Sequence, residues 1–338
     1  MTEGIGVAVG SRRMKAIVCR TYGRPDVLEL QEINRPSIAE DGMLVRVHAS
    51  SINPVDFFPL SRVGYTARRL SGGLKRKPLV LGVDFAGTVE SVGPRVADFK
   101  PGDEVFGGAK GAFAEYVSVP AAGAVVRTPA GLTFEQAAAV PVAALTALQA
   151  LRDHGRVRKG QSVLINGASG GVGSFAVQIA KAFGTHVSAV CSPRNVEIAR
   201  ALGADIVIDY TREDFTRGGA TYDLMLDIAG NRSWSECQRV LAATAIVVAV
   251  GASANTVWGG NRTLRHLLGV RLASIGGTRK LALFIAKLNK QDLLVLQKLV
   301  EEGKVTPVID RGYELNQVPE ALTYMGEGHA QGKIVVRV

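Results

Sequence analysis

The apolar run Ser162–Asn166 passes without a linker into Gly167-Ala168-Ser169-Gly170-Gly171-Val172-Gly173, and a helix-compatible run, Gly173–Phe183, follows at once. The G-x-G-x-x-G spacing is met as Ala168-x-Gly170-x-x-Gly173, with alanine in the first place. A glycine at 170 lets a phosphate approach the backbone, and one at 173 lets a helix pack against the strand before it. The helix start then offers unpaired N–H groups and a positive dipole end to an anion. A glycine-rich turn can also serve packing alone; the strand–turn–helix setting is what points to a dinucleotide. Ala168, Ser169, Gly170, Gly171, Val172 and Gly173 are therefore the expected pyrophosphate cradle.

Beyond this turn strands and helices alternate. Expected strands are His186–Val190, Ile206–Ile208, Tyr222–Ile228, Ala245–Val250 and Arg271–Ile275, and expected helices are Arg194–Leu202 and Ser233–Leu241. Continuous apolar strands joined by helical crossovers imply a parallel sheet covered on both faces. In such sheets ligands bind beyond the strand ends, which nominates Ala229-Gly230 and Val250-Gly251-Ala252. The strand His186–Val190 ends in Cys191-Ser192-Pro193-Arg194-Asn195, with no acid to accept bonds from ribose hydroxyls. Ser192, Arg194 and Asn195 suit a 2′-phosphate instead, because a guanidinium meets phosphate as a planar fork. NADPH is the expected cofactor.

The first third has a different texture. Short β-branched runs (Lys15–Cys19, Met43–Ser50, Phe85–Val92, Glu104–Phe106, Ala114–Val119) are separated by glycine and proline turns, as in an antiparallel, partly closed β domain. Thr133-Phe134-Glu135-Gln136 is a capping-box pattern that opens an Ala-rich helix, Phe134–Arg152, interrupted at Pro141. Thr146 on this helix is a candidate cofactor contact. A helix Gln291–Glu301 and late strands Val305–Ile309 and Lys333–Val338 follow. These strands find no place in the parallel sheet and are expected to return to the first domain.

The chain has 338 residues and a net charge of +10. Six cations and no acid fall between Arg62 and Lys77. That run reads as a solvated loop or as a basic rim attracting an anionic cofactor; interleaved aromatics or a helix motif for nucleic acid are missing. The three cysteines, Cys19, Cys191 and Cys237, are far apart, against a disulfide framework or a structural zinc site and in keeping with a reducing cytoplasm. No run reaches the roughly 18–20 apolar residues of a membrane span. Residues 1–13 are read as a disordered extension, with Met14 a possible older start.

Several motifs in order resemble the zinc-independent quinone oxidoreductases and enone reductases of the medium-chain dehydrogenase/reductase superfamily. They are Met14-Lys-Ala-Ile-Val18 with Tyr22-Gly23, Ser51-Ile-Asn-Pro-Val-Asp56, Gly82-Val-Asp-Phe-Ala-Gly87, Val92-Gly93, Gly102-Asp103 and Ala168-Ser-Gly-Gly-Val-Gly173. Leu202-Gly-Ala-Asp205, Asp209-Tyr210, Gly303-Lys304 and Gly332-Lys333 continue the match, which spans Met14 to Val338. The resemblance implies an α/β protein with a Rossmann doubly wound parallel sheet (129–279) and a GroES-like, mainly antiparallel β catalytic domain. The catalytic domain would be discontinuous, from 14–128 and 280–338, and the assembly a homodimer. By family position Asn53, Asp56 and Tyr65 are the catalytic candidates, and Tyr210 and Lys333 join the cofactor site. The zinc-dependent branch carries a cysteine near position 53 and Gly-His-Glu near position 82. Here Asn53 and Gly82-Val83-Asp84 stand instead, and no metal ligand set is expected.

The expected activity is NADPH-dependent hydride transfer to a quinone or another conjugated carbonyl. The alternatives are a 2-alkenal or enone double-bond reductase and, in a different class, a non-catalytic NADPH-binding redox sensor or nucleic-acid binder.

Overall fold

The computed structural model describes residues 13–62, 64–66, 79–250 and 278–338. Residues 1–12, Gly251, Ala252, the strand expected at 271–275 and five of the six cations of the basic run lie outside the described residues.

The chain begins with strands β1 (Arg13–Cys19), β2 (Leu28–Asn34), β3 (Gly42–Ser51), β4 (Leu79–Val80) and β5 (Asp84–Val92). Strands β6 (Glu104–Gly108), β7 (Tyr116–Pro120) and β8 (Val125–Arg127) follow. Thr133 caps the next helix: its hydroxyl accepts from the Gln136 N–H while the Gln136 side chain accepts from the Thr133 N–H. Pro141 divides the expected single helix into α1 (Phe134–Ala138) and α2 (Pro141–Gln149), and a π-helical turn, Ala150–His154, continues it.

Strands β9 (Ser162–Asn166), β10 (His186–Cys191), β11 (Ile206–Asp209), β12 (Tyr222–Asp227), β13 (Leu241–Val250) and β14 (Lys280–Phe284) form one parallel sheet in the order β11-β10-β9-β12-β13-β14. This is the doubly wound dinucleotide-binding order, with its reversal between β9 and β12. Both faces are apolar, as the unbroken runs implied. Val163, Ile165, Leu224 and Leu226 pack with Phe175 and Ile179 on one side; Leu164, Met225 and Val247 pack with Phe215 and Trp234 on the other. Helix α3 (Gly171–Ala182) covers the first face, and α4 (Val196–Ala201) and α5 (Trp234–Gln238) are the shorter crossovers.

Helix α6 (Lys290–Glu301), strand β15 (Ile309–Glu314), helix α7 (Val318–Gly326) and strand β16 (Lys333–Arg337) complete the chain. The late strands do return to the first sheet, ordered β15-β16-β3-β5-β6-β8 with β7 also on β3. Three expectations shift. The strand expected at Val305–Ile309 starts only at Ile309, because the Lys304 and Val305 N–H groups close the end of α6 on Leu299 O. The helix expected to Leu241 stops at Gln238, and Leu241 already belongs to β13. Strand β14 extends the parallel sheet within the stretch expected, from 280 onward, to belong to the catalytic domain. Among the described residues no helix is long and apolar enough to cross a membrane.

Candidate active site

The turn after β9 is built as its glycines suggested. Gly167 has φ +95°, a conformation that side chains resist. A Cβ on Gly173 would lie 2.1 Å from Gly167 O, so helix α3 can approach the turn only with glycine there. At Gly170 the nearest atom to an added Cβ is 3.9 Å away, leaving backbone that a ligand can approach. Ala168 is buried, while Ser169, Gly171 and Val172 are half-buried around the start of α3.

At the end of β10, Asn195 sits 3% exposed and donates through Nδ2 to Ser169 Oγ at 2.8 Å and Ser192 Oγ at 2.9 Å. Its Oδ1 is buried with no hydrogen-bond partner among the described residues. An unpaired buried acceptor costs about 1–3 kcal/mol, which a donor such as a ribose hydroxyl would recover. Arg194 is exposed, and its guanidinium donates to His329 O. No carboxylate ends β10; Asp209, one strand over, is occupied in capping Thr211 through both its N–H and its hydroxyl. Tyr210 is 50% exposed beside it. Ala229 and Gly230 are exposed after β12, and Val250 is buried at the end of β13. This donor and acceptor set, over an open glycine turn, fits a dinucleotide.

The carboxyl-terminal segment closes on the same turn. Gly332 pairs with Gly170 in a parallel bridge and donates its N–H to Ser169 O at 2.8 Å. The next residue sends its side chain into a sealed polar cluster. Lys333 Nζ donates to Asn53 Oδ1 at 2.6 Å and Ile52 O at 3.2 Å, and lies 3.6 Å from Asp84 Oδ2. Asn53 Nδ2 donates to Asp84 Oδ2 at 2.8 Å and Ser51 O at 3.2 Å. Asp84 Oδ2 also accepts from Ser51 Oγ, and its Oδ1 accepts from the Val142 N–H in the first turn of α2. Asp56 accepts from the Asn53 N–H at 2.8 Å. Thr146, one turn along α2, donates its hydroxyl to Val142 O.

Burial governs the charges. It pushes the Asp56 carboxyl up to about 8, helped by the charge of Asp84 and opposed by the Asn53 N–H and Lys333. Burial also raises Asp84, against the pull of Lys333 and its hydrogen-bond donors, and it lowers the Lys333 ammonium, against both carboxylates.

Of the three catalytic candidates, Asn53 and Asp56 thus stand together, with both Asn53 amide hydrogens committed inside the cluster. Tyr65 stands apart, half-buried, its ring 5.2 Å from that of Tyr22. Lys333, placed by the sequence on the cofactor, runs its stem beside Gly171 of the turn and ends its ammonium in the Asn53 cluster. Sequence reasoning passed over Asp84 except as a departure from Gly-His-Glu. The signal was an acid inside the apolar run Leu81–Ala86, since a carboxylate in a buried strand demands partners. Among the described residues no group of three or more His, Cys, Asp or Glu converges as metal ligands. An amide and one carboxylate already bonded to an ammonium do not fit a zinc ion.

Residues 39–130 match the alcohol dehydrogenase GroES-like domain family, and residues 202–336 match the zinc-binding dehydrogenase family. The chain is 36% identical to the mitochondrial NAD(P)H oxidoreductase RTN4IP1 of Mus musculus, over 98% of this chain and 92% of the mouse protein. It is 34% identical to the 2-methylene-furan-3-one reductase of Solanum lycopersicum, over 96% of this chain and 79% of that protein. The solved quinone oxidoreductase of Coxiella burnetii superposes with a TM-score of 0.83 at 33% identity, covering 97% of this chain and 100% of that one. With the sheet order, the glycine turn and these likenesses together, the chain belongs to the zinc-independent quinone oxidoreductase branch of the medium-chain dehydrogenase/reductase superfamily and is an oxidoreductase that uses a nicotinamide cofactor.

Proposed function

We propose that this chain is an NADPH-dependent reductase that passes hydride to a quinone or another conjugated carbonyl without a metal ion. One observation carries the reading. At the positions where the zinc branch gathers ligands, Asn53 and Asp84 are bonded to each other and to the ammonium of Lys333. A simple alcohol or ketone needs its oxygen polarised by a strong electrophile. A conjugated acceptor spreads incoming charge onto its own oxygen, where ordinary donors suffice. NADPH, when bound, supplies the hydride.

The residues divide the remaining work. Ser169, Gly170, Gly171, Val172 and Gly173 present backbone N–H groups to the pyrophosphate, with Ala168 packed beneath. Ser192, Arg194 and Asn195 take the 2′-phosphorylated ribose, and Tyr210 the adenine side. Thr146, Ala229, Gly230 and the end of β13 border the nicotinamide half. Asn53, Asp56 and Lys333 hold the cluster beside it. Tyr65, whose hydroxyl bonds to no described residue, is the donor we assign to the acceptor oxygen. The redox-sensor alternative is weaker, because burial pushes the Cys191 and Cys237 thiols up to about 11 and 12, and Cys19 is buried too. A homodimer in a reducing cytoplasm is the setting we assign.

Relatives named for quinones and for an exocyclic enone support both acceptor types. NADPH consumption measured across quinones, alkenals, saturated ketones and alcohols tests the reading. Turnover of the first two groups alone is expected. Rapid alcohol oxidation abolished by a chelator would overturn it.

A further inference from the structure

Lys333 occupies a junction that its neighbours do not explain by packing alone. Its backbone is fixed without its side chain: the Lys333 N–H donates to Val308 O at 2.8 Å, and β16 pairs with both β15 and β3. Gly332, at φ +94°, has no room for a Cβ, which would meet Val308 O at 2.4 Å. From there the lysine stem runs past the dinucleotide turn, where a Cβ on Gly171 would lie 3.1 Å from Lys333 Cδ. The ammonium ends in the cluster, 3% exposed, on Asn53 and beside Asp84. Asp84 in turn grips the opening N–H of α2 at Val142. A buried ammonium is costly to desolvate, and an apolar side chain of that length would fill the space without the cost. One side chain therefore connects the turn at Ser169–Gly171, the Asn53 turn and the helix that carries Thr146.

We propose that Lys333 is a positioning residue that couples seating of the dinucleotide on the Gly170 turn to order in the Asn53–Asp84 cluster, through the Gly332-Lys333 dipeptide. It acts on Asn53 and Asp84 rather than on the cofactor. The inference rests on the reading that the dinucleotide binds at this turn.

The test uses the full chain without cofactor, titrated with NADPH by calorimetry and followed by amide hydrogen exchange. Lys333→Met leaves Asp84 buried without its counter-charge and is expected to lower the melting temperature. The double variant Asp84→Asn/Lys333→Met removes both charges and is expected to regain most of that loss. Both should still bind NADPH about 10-fold more weakly than the wild type, the scale of a modest coupling between sites. In the wild type NADPH should slow exchange at the Asn53 and Val142 amides; in the double variant that protection should vanish. A stable double variant with wild-type affinity and wild-type protection overturns the coupling and leaves the cofactor site standing. A wild-type chain that binds no dinucleotide removes both the site and the coupling.

Discussion

Asp56 shows how burial decides the charge of a side chain. Its carboxyl is 2% exposed, and burial raises it to about 8, so it is protonated at neutral pH. Asp56 then adds no negative charge beside Asp84 and Lys333, whose own ionisation burial opposes. In the unfolded chain an aspartate ionises near 3.9, roughly. The folded state thus holds this proton more tightly. Its contribution to stability is complete below about pH 4 and is lost as pH rises toward about 8. Asparagine can accept the same Asn53 N–H and does not titrate. Urea midpoints for Asp56→Asn should fall less between those pH values than wild-type midpoints do; parallel curves would refute the protonated carboxyl. Arg194 supports a second prediction at this scale. It is exposed, beside Ser192 and an Asn195 acceptor that has no partner among the described residues, where a backbone carbonyl accepts from its guanidinium. A charged hydrogen bond contributes about 1.5–3 kcal/mol, roughly 10- to 100-fold in affinity. Arg194→Ala should weaken NADPH by that factor and NADH hardly at all, as read from dissociation constants; equal losses would remove the 2′-phosphate assignment.

Within elements, the phosphate turn separates two jobs that its sequence motif runs together. Gly173 is a packing glycine: a Cβ there drives into Gly167 O and the Ala168 backbone. Gly170 has extended backbone, φ −78° and ψ 180°, and open space above it. Gly173→Ala should therefore cost about 1–3 kcal/mol of stability by overpacking. Gly170→Ala should leave stability unchanged and reduce dinucleotide affinity. Chemical denaturation and cofactor titration of the two variants check this, and the idea fails if their effects are interchanged. Legibility followed the same physics. Strands β9 and β16 could be read because each carries a buried apolar core, Val163–Ile165 and Ile334–Val336. Strand β2 could not, since Leu28–Asn34 is largely exposed and alternates poorly. Asn53, Asp56 and Lys333 carried motif signals, whereas the bond from Val142 to Asp84 spans 58 residues and has no local signature. The lysine's destination depends on β16 lying beside β3, with Val335 opposite Ser51, a pairing that no sequence period encodes.

At the scale of the molecule, the parallel sheet leaves a question at its border. Strand β14 pairs with β13 and, among the described residues, with no strand on its other side. An unpaired strand edge presents a row of N–H and C=O groups to any chain that can match them. Lysines or prolines that would blunt such an edge are few here: beyond Lys280 the strand reads Leu281-Ala282-Leu283-Phe284. Leu283 in the strand is 39% exposed, and Ile285, just past its end, is 91% exposed. Isolated exposed apolar residues are ordinary, but two at an unpaired strand edge add to the surface that a partner strand would cover. A twofold axis beside β14 would pair the strand antiparallel with its own copy and cover these side chains in an isologous interface. Sedimentation at micromolar concentration should then give a dimer. Leu283→Lys/Ile285→Lys should give a monomer with an unchanged circular dichroism spectrum, because both side chains already face water in the single chain. A wild-type monomer, or a lysine variant that remains dimeric, would place the contact elsewhere. Since neither residue belongs to the glycine turn or the Lys333 cluster, the monomeric variant should also bind NADPH with wild-type affinity, which separates assembly from cofactor binding.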